Sequence, residues 1–312
     1  RWYFRQQGNG RGTESQANDT TAEGGILVRN TSTLQWLVDT FTISNNTFNN
    51  NRGQAMFISG CTNGTISGNT VSNQLRGRTG DGMVEVGIKM GSDSSAPVGS
   101  TANQSGPHTI TNNTFHDFQS ATAWGITGLG TVGANIVAIY GDVNVRTVTI
   151  TGNTIYKIAE NDTSSSVACG GTRCQFCNVG GITPESRCHD WIIQNNIVYR
   201  IGRFGGKNAS TAGTNIANNT QWLGNTFFKC GEYGLDIRGG STLTIKNNIA
   251  YITSSTARAI NFETTAELNT YGPHTIDYND WYDSATANIA KIQGTSYNFA
   301  NWKTQLASQT GQ

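Results

Sequence analysis

The sequence predicts an all-β fold, a parallel β-helix solenoid of roughly 8–10 coils with loop insertions. Three observations predict it. A short apolar–Asn–apolar unit recurs eight times along the 312 residues. Its shortest spacing, 23 residues, is the length of one coil made of three short strands and three bends. The composition is that of strands and tight turns, with 38 glycines, four prolines and 13% charged residues.

The units run in order as ISNNTF (43–48), ISGNTV (66–71), ITNNTF (110–115) and ITGNTI (150–155), then IIQNNIV (192–198), WLGNTFF (222–228), IKNNIA (245–250) and a degenerate IDYNDW (276–281). Aligned on the second asparagine they fall at Asn46, Asn69, Asn113, Asn153, Asn196, Asn225, Asn248 and Asn279, with spacings of 23, 44, 40, 43, 29, 23 and 31. The longer spacings are coils carrying loop insertions. A second alignment extends the coil: MFISGCTNGTISGN (56–69) matches LDIRGGSTLTIKNN (235–248) position for position. VGIKMGS (86–92), IVAIYGD (136–142) and RAINFET (258–264) read as the same strand elsewhere. A leucine-rich repeat would need a Leu-x-x-Leu-x-Leu frame, and an antiparallel sandwich would not hold one Asn at one register.

Asparagine is a poor strand former, so its recurrence needs a cause. At a bend it tolerates the left-handed conformation. Stacked on its own copies, its amide donates to one neighbour and accepts from the other. The asparagines therefore read as a structural ladder, with the flanking Ile, Val and Phe positions forming a narrow apolar core.

No linker or composition break divides the chain, which reads as a single domain over 1–312. It opens on Arg1 rather than Met and stops at SQTGQ, which reads as a mature or trimmed product. With 21 Lys+Arg against 20 Asp+Glu, the net charge of +1 makes no electrostatic case for nucleic acid. No apolar run approaches the ~18 residues of a membrane span.

The G-N-T, N-N-T and N-N-I frame, with the ending HTIDYNDWYD…NFANWKTQLASQTGQ (274–312), resembles the right-handed parallel β-helix superfamily with the pectate-lyase-like fold. That resemblance implies a secreted protein: a polysaccharide lyase, glycoside hydrolase or epimerase, or a carbohydrate-binding phage or surface part. The sharper signatures of pectin hydrolases (paired aspartates, Gly-His-Gly) and of an Asp-Pro-His epimerase are missing, so no catalytic residue is carried over.

Function on a β-helix lies along an outward row, because stacked strands present a groove matched to a linear polymer. The alignments put Arg238 in register with Ser59, Lys89, Tyr140 and Thr183, and with Glu263 or Asn261. Asp236 lies two residues earlier on the same face. Eliminating a uronate needs a cation for the carboxylate, a base for the Cα–H proton and an acid for the leaving oxygen. Arg238 as neutraliser, with Lys89 or Tyr140 as base or acid, fits those types. Lys89 and Arg238 stand several coils apart, and the alternative is a solvated face with a local Asp236–Arg238 pair. A hydrolase would instead pair Asp236 with Glu263 across about 5–9.5 Å. Glu85 and Asp93, flanking Lys89, are the candidates for calcium. His108 and His274, each opening a strand after Gly-Pro, read as structural.

Trp124, in the insertion SATAWGITGLG, is the candidate for stacking on a sugar; Trp191 and Trp222 precede core positions. Four of the six cysteines, Cys169, Cys174, Cys177 and Cys188, crowd into one insertion. They read as a disulfide-tied loop of a secreted protein, with a zinc site as the alternative. Cys61 and Cys230 read as separate buried thiols.

The sequence thus describes an extracellular β-helix protein that engages a polysaccharide, its enzymatic version a lyase on a uronate-containing glycan. The contrasting version is a non-catalytic component of a cell or virion surface, such as an adhesin or tailspike body, with a homo-oligomer as candidate assembly.

Overall fold

The computed structural model describes residues 24–29, 39–51, 53–74, 77–79, 82–91, 105–118, 134–160, 178–185, 187–208, 217–263 and 273–310. The chain coils through three parallel sheets in fixed rotation. Sheet B runs from Phe41–Ser44 to Thr275–Asp277, sheet C from Thr47–Asn49 to Asp280–Asp283, and sheet A from Gly24–Arg29 to Asn288–Ile292. Eight B–C–A turns follow one another, each strand pairing in parallel with its counterpart one coil away. The parallel β-helix expected from the repeat is the fold. At the C-terminal end the antiparallel strand Thr295–Asn298 and the helix Phe299–Thr310 close the coil, and Trp302 packs on Phe262 with ring centroids 6.0 Å apart.

The corner between sheets B and C explains the repeat. Each ladder asparagine sends its backbone N–H and its side-chain amide to the Oδ1 of the next coil's asparagine. The Asn153 and Asn196 amides, for example, make these bonds at 2.9–3.1 Å. The same amide nitrogen also donates to a sheet B carbonyl one coil back: Asn69 to Ile43, Asn113 to Ile66, Asn196 to Ile150. The ladder runs unbroken from Asn46 to Asn279. Its interior members are buried, yet their amide groups are paired, the condition under which buried polar groups are tolerated.

The left-handed conformation belongs to the residue before each ladder asparagine, a refinement of the expectation above. Asn45, Gly68, Asn112, Gly152, Asn195, Gly224, Asn247 and Tyr278 all have φ between 54° and 66°. Asparagine and glycine alternate there for a packing reason. The Oδ1 of Asn45, Asn112 or Asn195 occupies the space where a Cβ would stand on the glycine one coil on, at 2.5, 2.6 and 2.8 Å. Only Gly combines the positive φ with the missing Cβ.

Ile, Val and Phe fill the interior, together with Trp191 and Trp222. The Trp191 ring lies so close to Gly141 that a Cβ there would come within 2.5 Å of it and 3.2 Å of Cys188 Sγ. Cys188 is therefore a core residue. It is a buried free thiol directed at the Gly141 carbonyl. Burial pushes it up to about 12, which removes thiolate character. Cys169, Cys174 and Cys177 lie outside the described residues. Cys61 and Cys230 are buried, as expected.

His108 and His274 occupy the same inward row of sheet B, on different coils. Each accepts a backbone N–H on Nδ1, from Gly64 at 3.2 Å and Leu243 at 3.1 Å. With Nδ1 accepting, His108 Nε2 carries the proton toward Ser105 Oγ, 2.9 Å away. The structural reading of both histidines holds in this geometry.

On the outer face of sheet C, His116, Tyr156, Tyr199, Phe228, Tyr251 and Tyr282 stand in one register. His116, Tyr156 and Tyr199 stack with centroids 5.0 Å apart and interplanar angles of 5° and 7°. Each ring face is thus turned to the next rung, and edges point outward.

Candidate functional site on the outer face of sheet A

Sheet A differs from its partners because its outward rows carry charge and, from Tyr140 to Asn261, one of them is nonetheless buried. One row reads Phe57, Lys89, Tyr140, Thr183, Lys207, Asp236, Asn261, Lys291. Gly180 pairs with Phe204 and Ile182 with Gly206, which sets Thr183 beside Lys207. Two residues further along the strands come Ser59, Asp142, Glu185, Arg238 and Glu263. Neighbouring rungs are about 4.8 Å apart.

This register corrects the sequence alignment. Arg238 does share a row with Ser59 and Glu263, but Lys89, Tyr140 and Thr183 belong to the row of Asp236. The register is two residues from that alignment, with the inward Ile88 of VGIKMGS pairing with Met56 and Ile139. A slip of two keeps a side chain on its face. All five candidates, Lys89, Tyr140, Asp236, Arg238 and Glu263, therefore remain on one face.

They form two groups. In the first, Lys89 Nζ binds Asp142 Oδ2 at 2.8 Å and lies 5.9 Å from the centre of the Tyr140 ring. The Tyr140 hydroxyl donates to the Glu185 carboxylate. Burial, with Asp142 and Glu185 nearby, holds that phenol well above its ordinary value, so it keeps its proton. In the second group, Arg238 Nε binds Asp236 Oδ2 at 2.7 Å and Nη1 reaches Glu263 Oε1 at 3.5 Å. Asn261 donates to the other Asp236 oxygen at 2.7 Å. Burial alone would lower Arg238, but Asp236 and Glu263 more than offset it and fix the cation.

Lys207 joins the two groups, and sequence reasoning missed it. It is 2% exposed, beneath the rung of Asp236 and beside the Phe204 ring, whose centre is 5.2 Å from Nζ. Burial, reinforced by Arg238, pulls its ammonium down to about 8 against the pull of Asp236 and Glu185. A signal for it was present. Lys207 precedes Asp236 by 29 residues, the interval between Asn196 and Asn225 in the same pair of coils. The glycines of FGGKN hid it, because Gly205 and Gly206 stand where apolar residues would mark the strand. Close approach requires both: a Cβ on Gly205 would meet Phe227 at 2.4 Å, and one on Gly206 would meet Trp222 at 2.5 Å.

Arg238 stands between the two carboxylates of the hydrolase pairing, binding both Asp236 and Glu263, and Asp236 is fully buried with both oxygens engaged. The calcium candidates Asp93 and the Glu85 side chain, and Trp124, lie outside the described residues. Among the described residues no group of three or more His, Cys, Asp or Glu side chains gathers as a metal site. No described helix is long and apolar enough to cross a membrane.

Over residues 4–126 the chain is similar to a family described as periplasmic copper-binding protein (NosD). No curated protein and no solved structure matches it. The family match and the three parallel sheets agree on a parallel β-helix protein.

Proposed function

We propose that this β-helix protein works outside the cytoplasm on a uronate-containing polysaccharide, as a lyase, with the outer face of sheet A as its active site. The observation that carries the reading is the convergence of Lys207, Tyr140, Glu185, Asp236 and Arg238 on adjacent rungs, with Lys207, Tyr140 and Asp236 buried. Structural rows on this helix are neutral and self-paired, whereas this one holds a desolvated amine among charges.

The chemistry follows from protonation states. Lys207, close to neutral at mildly alkaline pH, takes the proton from the carbon beside the uronate carboxylate. The electron pair forms the new C=C bond and the bond to the leaving sugar oxygen breaks. Tyr140, its proton retained, donates to that oxygen. Two rungs, about 10 Å, separate Tyr140 from Lys207, with Thr183 on the rung between them. Arg238 supplies positive charge for the carboxylate, and Asp236 with Asn261 positions it. Lys207 replaces Lys89 as base, since Lys89 is a further rung away and held by Asp142.

The test is incubation with a panel of uronate and neutral polysaccharides, followed by ultraviolet absorbance of unsaturated products and by reducing ends. Absorbance growing on a uronate polymer supports the reading, and silence across the panel removes it. The match over residues 4–126 favours a second reading, a non-catalytic envelope component. That reading takes copper binding from the family's description. Copper titration of the chain, by calorimetry, with no turnover on any glycan, would support it.

A further inference from the structure

At the corner between sheets A and B, Arg146, His189 and Asn218 occupy one row on three successive coils, about 4.8 Å apart. All three are partly exposed, so solvent reaches the row. The Arg146 guanidinium has no hydrogen bond or ion pair among the described residues, and its Nε is buried without a partner. The ring nitrogens of His189 bond no described residue. Asn218 accepts the Ser241 hydroxyl on Oδ1 at 2.7 Å, which leaves its amide N–H groups uncommitted. Burial, with Arg146 beside it, holds His189 below its ordinary value.

The row is therefore rich in donors and short of acceptors. Elsewhere on the outer surface the cations have carboxylates of their own: Lys89 has Asp142, Arg203 has Glu232 and Arg238 has Asp236. The carboxylates within four residues of Arg146 or His189 are engaged by other groups. Asp142 is held by Lys89 at 2.8 Å, Glu185 takes the Tyr140 proton, and Asp190 accepts from Asn219 at 2.7 Å. An arginine fork that lacks a carboxylate in its own chain matches one brought from outside.

We infer that this row binds an acidic glycan, with Arg146 forked onto a sugar carboxylate and His189 and Asn218 bonding oxygens of the same unit. Three rungs span about 10 Å, longer than a small inorganic anion and suited to one sugar unit. The inference takes its glycan class from the reading of sheet A. It concerns binding at a different corner and needs no turnover. Glycans whose carboxylates are esterified are then held poorly.

The experiment is calorimetric titration of wild type, Arg146→Gln and Arg146→Lys, with thermal denaturation of all three. The probes are oligomers of galacturonate, mannuronate and glucuronate, their methyl esters, and sodium sulfate. Wild type is expected to bind at least one acidic oligomer in preference to its ester and to sulfate. Arg146→Gln is expected to weaken that binding about 10- to 100-fold, the loss of a charge-assisted pair, at an unchanged or raised melting temperature. Arg146→Lys, which keeps the charge without the fork, is expected to recover part of it. Wild-type affinity in Arg146→Gln, equal affinity for acid and ester, or sulfate bound as tightly as the oligomer each overturns the inference. So does failure of wild type to bind any oligomer, or a melting temperature that falls together with affinity. Ultraviolet absorbance of the same mixtures reads sheet A separately. An oligomer bound through Arg146 with no unsaturated product from any glycan keeps this inference and removes the lyase reading. Product formed at equal kcat/KM by wild type and Arg146→Gln, with equal affinity, does the reverse.

Discussion

The corner between sheets B and C carries the same asparagine on eight successive rungs, whereas the outer row of sheet A never carries the same residue on two adjacent rungs. Both are buried and polar, yet they are satisfied differently. The asparagines are neutral, and each copy supplies what the next one needs, so the row satisfies itself at any length. The charges of sheet A are balanced by particular partners at particular places, such as Lys89 with Asp142 and Arg238 with Asp236. Desolvating such groups is expensive, and well-packed apolar residues often serve stability as well or better. A fold needing only stability would have repeated the first solution. The second is the kind of arrangement found where charge is used.

The widest separation between the two regions comes from removing Lys207. Lys207→Met is expected to lower kcat/KM by about 10²- to 10⁴-fold while holding or raising the melting temperature, since it deletes a buried charge and the proposed base. Lys89→Met, on the same row but held by Asp142, is expected to change kcat/KM by less than about tenfold. Steady-state kinetics beside thermal denaturation reads both, and equal losses in the two variants would remove the assignment of Lys207.

The corner responds in the opposite sense, through stability alone. Asn196→Ala orphans the groups that Asn153, Asn225 and Ile150 present to it, at a cost of about 2–4 kcal/mol in urea denaturation. Asn46→Ala, at the exposed end of the ladder, is expected to cost less than about 1 kcal/mol. Gly152→Ala places a Cβ 2.6 Å from Asn112 Oδ1 at a φ of +66°, for about 1–3 kcal/mol. Similar values at Asn46 and Asn196 would mean that the ladder is not cooperative along its length.

Acid and alkali sharpen the contrast with the smallest effects. Burial pulls His108 down to about 4, so between 6.5 and 4 the unfolded chain binds a proton that the folded chain does not. Stability therefore falls as pH falls through that window. Lys207, at about 8 when folded against 10.5, binds fewer protons folded than unfolded between those values, so stability rises as pH rises there. Denaturant midpoints against pH check both, with the alkaline rise absent from Lys207→Met and the acid fall reduced in His108→Gln.

The legible part of this protein is what repeats. The unit around Asn46 announced the coil, the corner and the core, because a ladder demands the same residue at the same place. The twin GPHTI segments placed His108 and His274 in one row for the same reason. The site was legible only by face. Asp236, Arg238 and Glu263 were found together, while Lys89 was set two residues out of register. Lys207 was passed over because glycines forced by Phe227 and Trp222 erased the apolar alternation around it. Glu185 follows a proline at a strand end, where no periodicity marks which way a side chain points. Self-pairing residues leave a period behind them, and residues that pair across unlike rungs leave none.

The alternation of Asn and Gly before the ladder has a consequence for how such a chain can grow or shrink. The repeating module is two coils, not one: Asn45 with Gly68, Asn112 with Gly152, Asn195 with Gly224. Deleting or duplicating one of these pairs leaves each of their protruding amides facing a glycine; the last asparagine of the series, Asn247, has Tyr278 beyond it. Removing a single coil changes the parity, setting amide against Cβ on one side of the cut or leaving a void on the other. Within the span from Asn45 to Gly224, shortened or lengthened versions of this helix should therefore fold more readily in even steps than in odd ones.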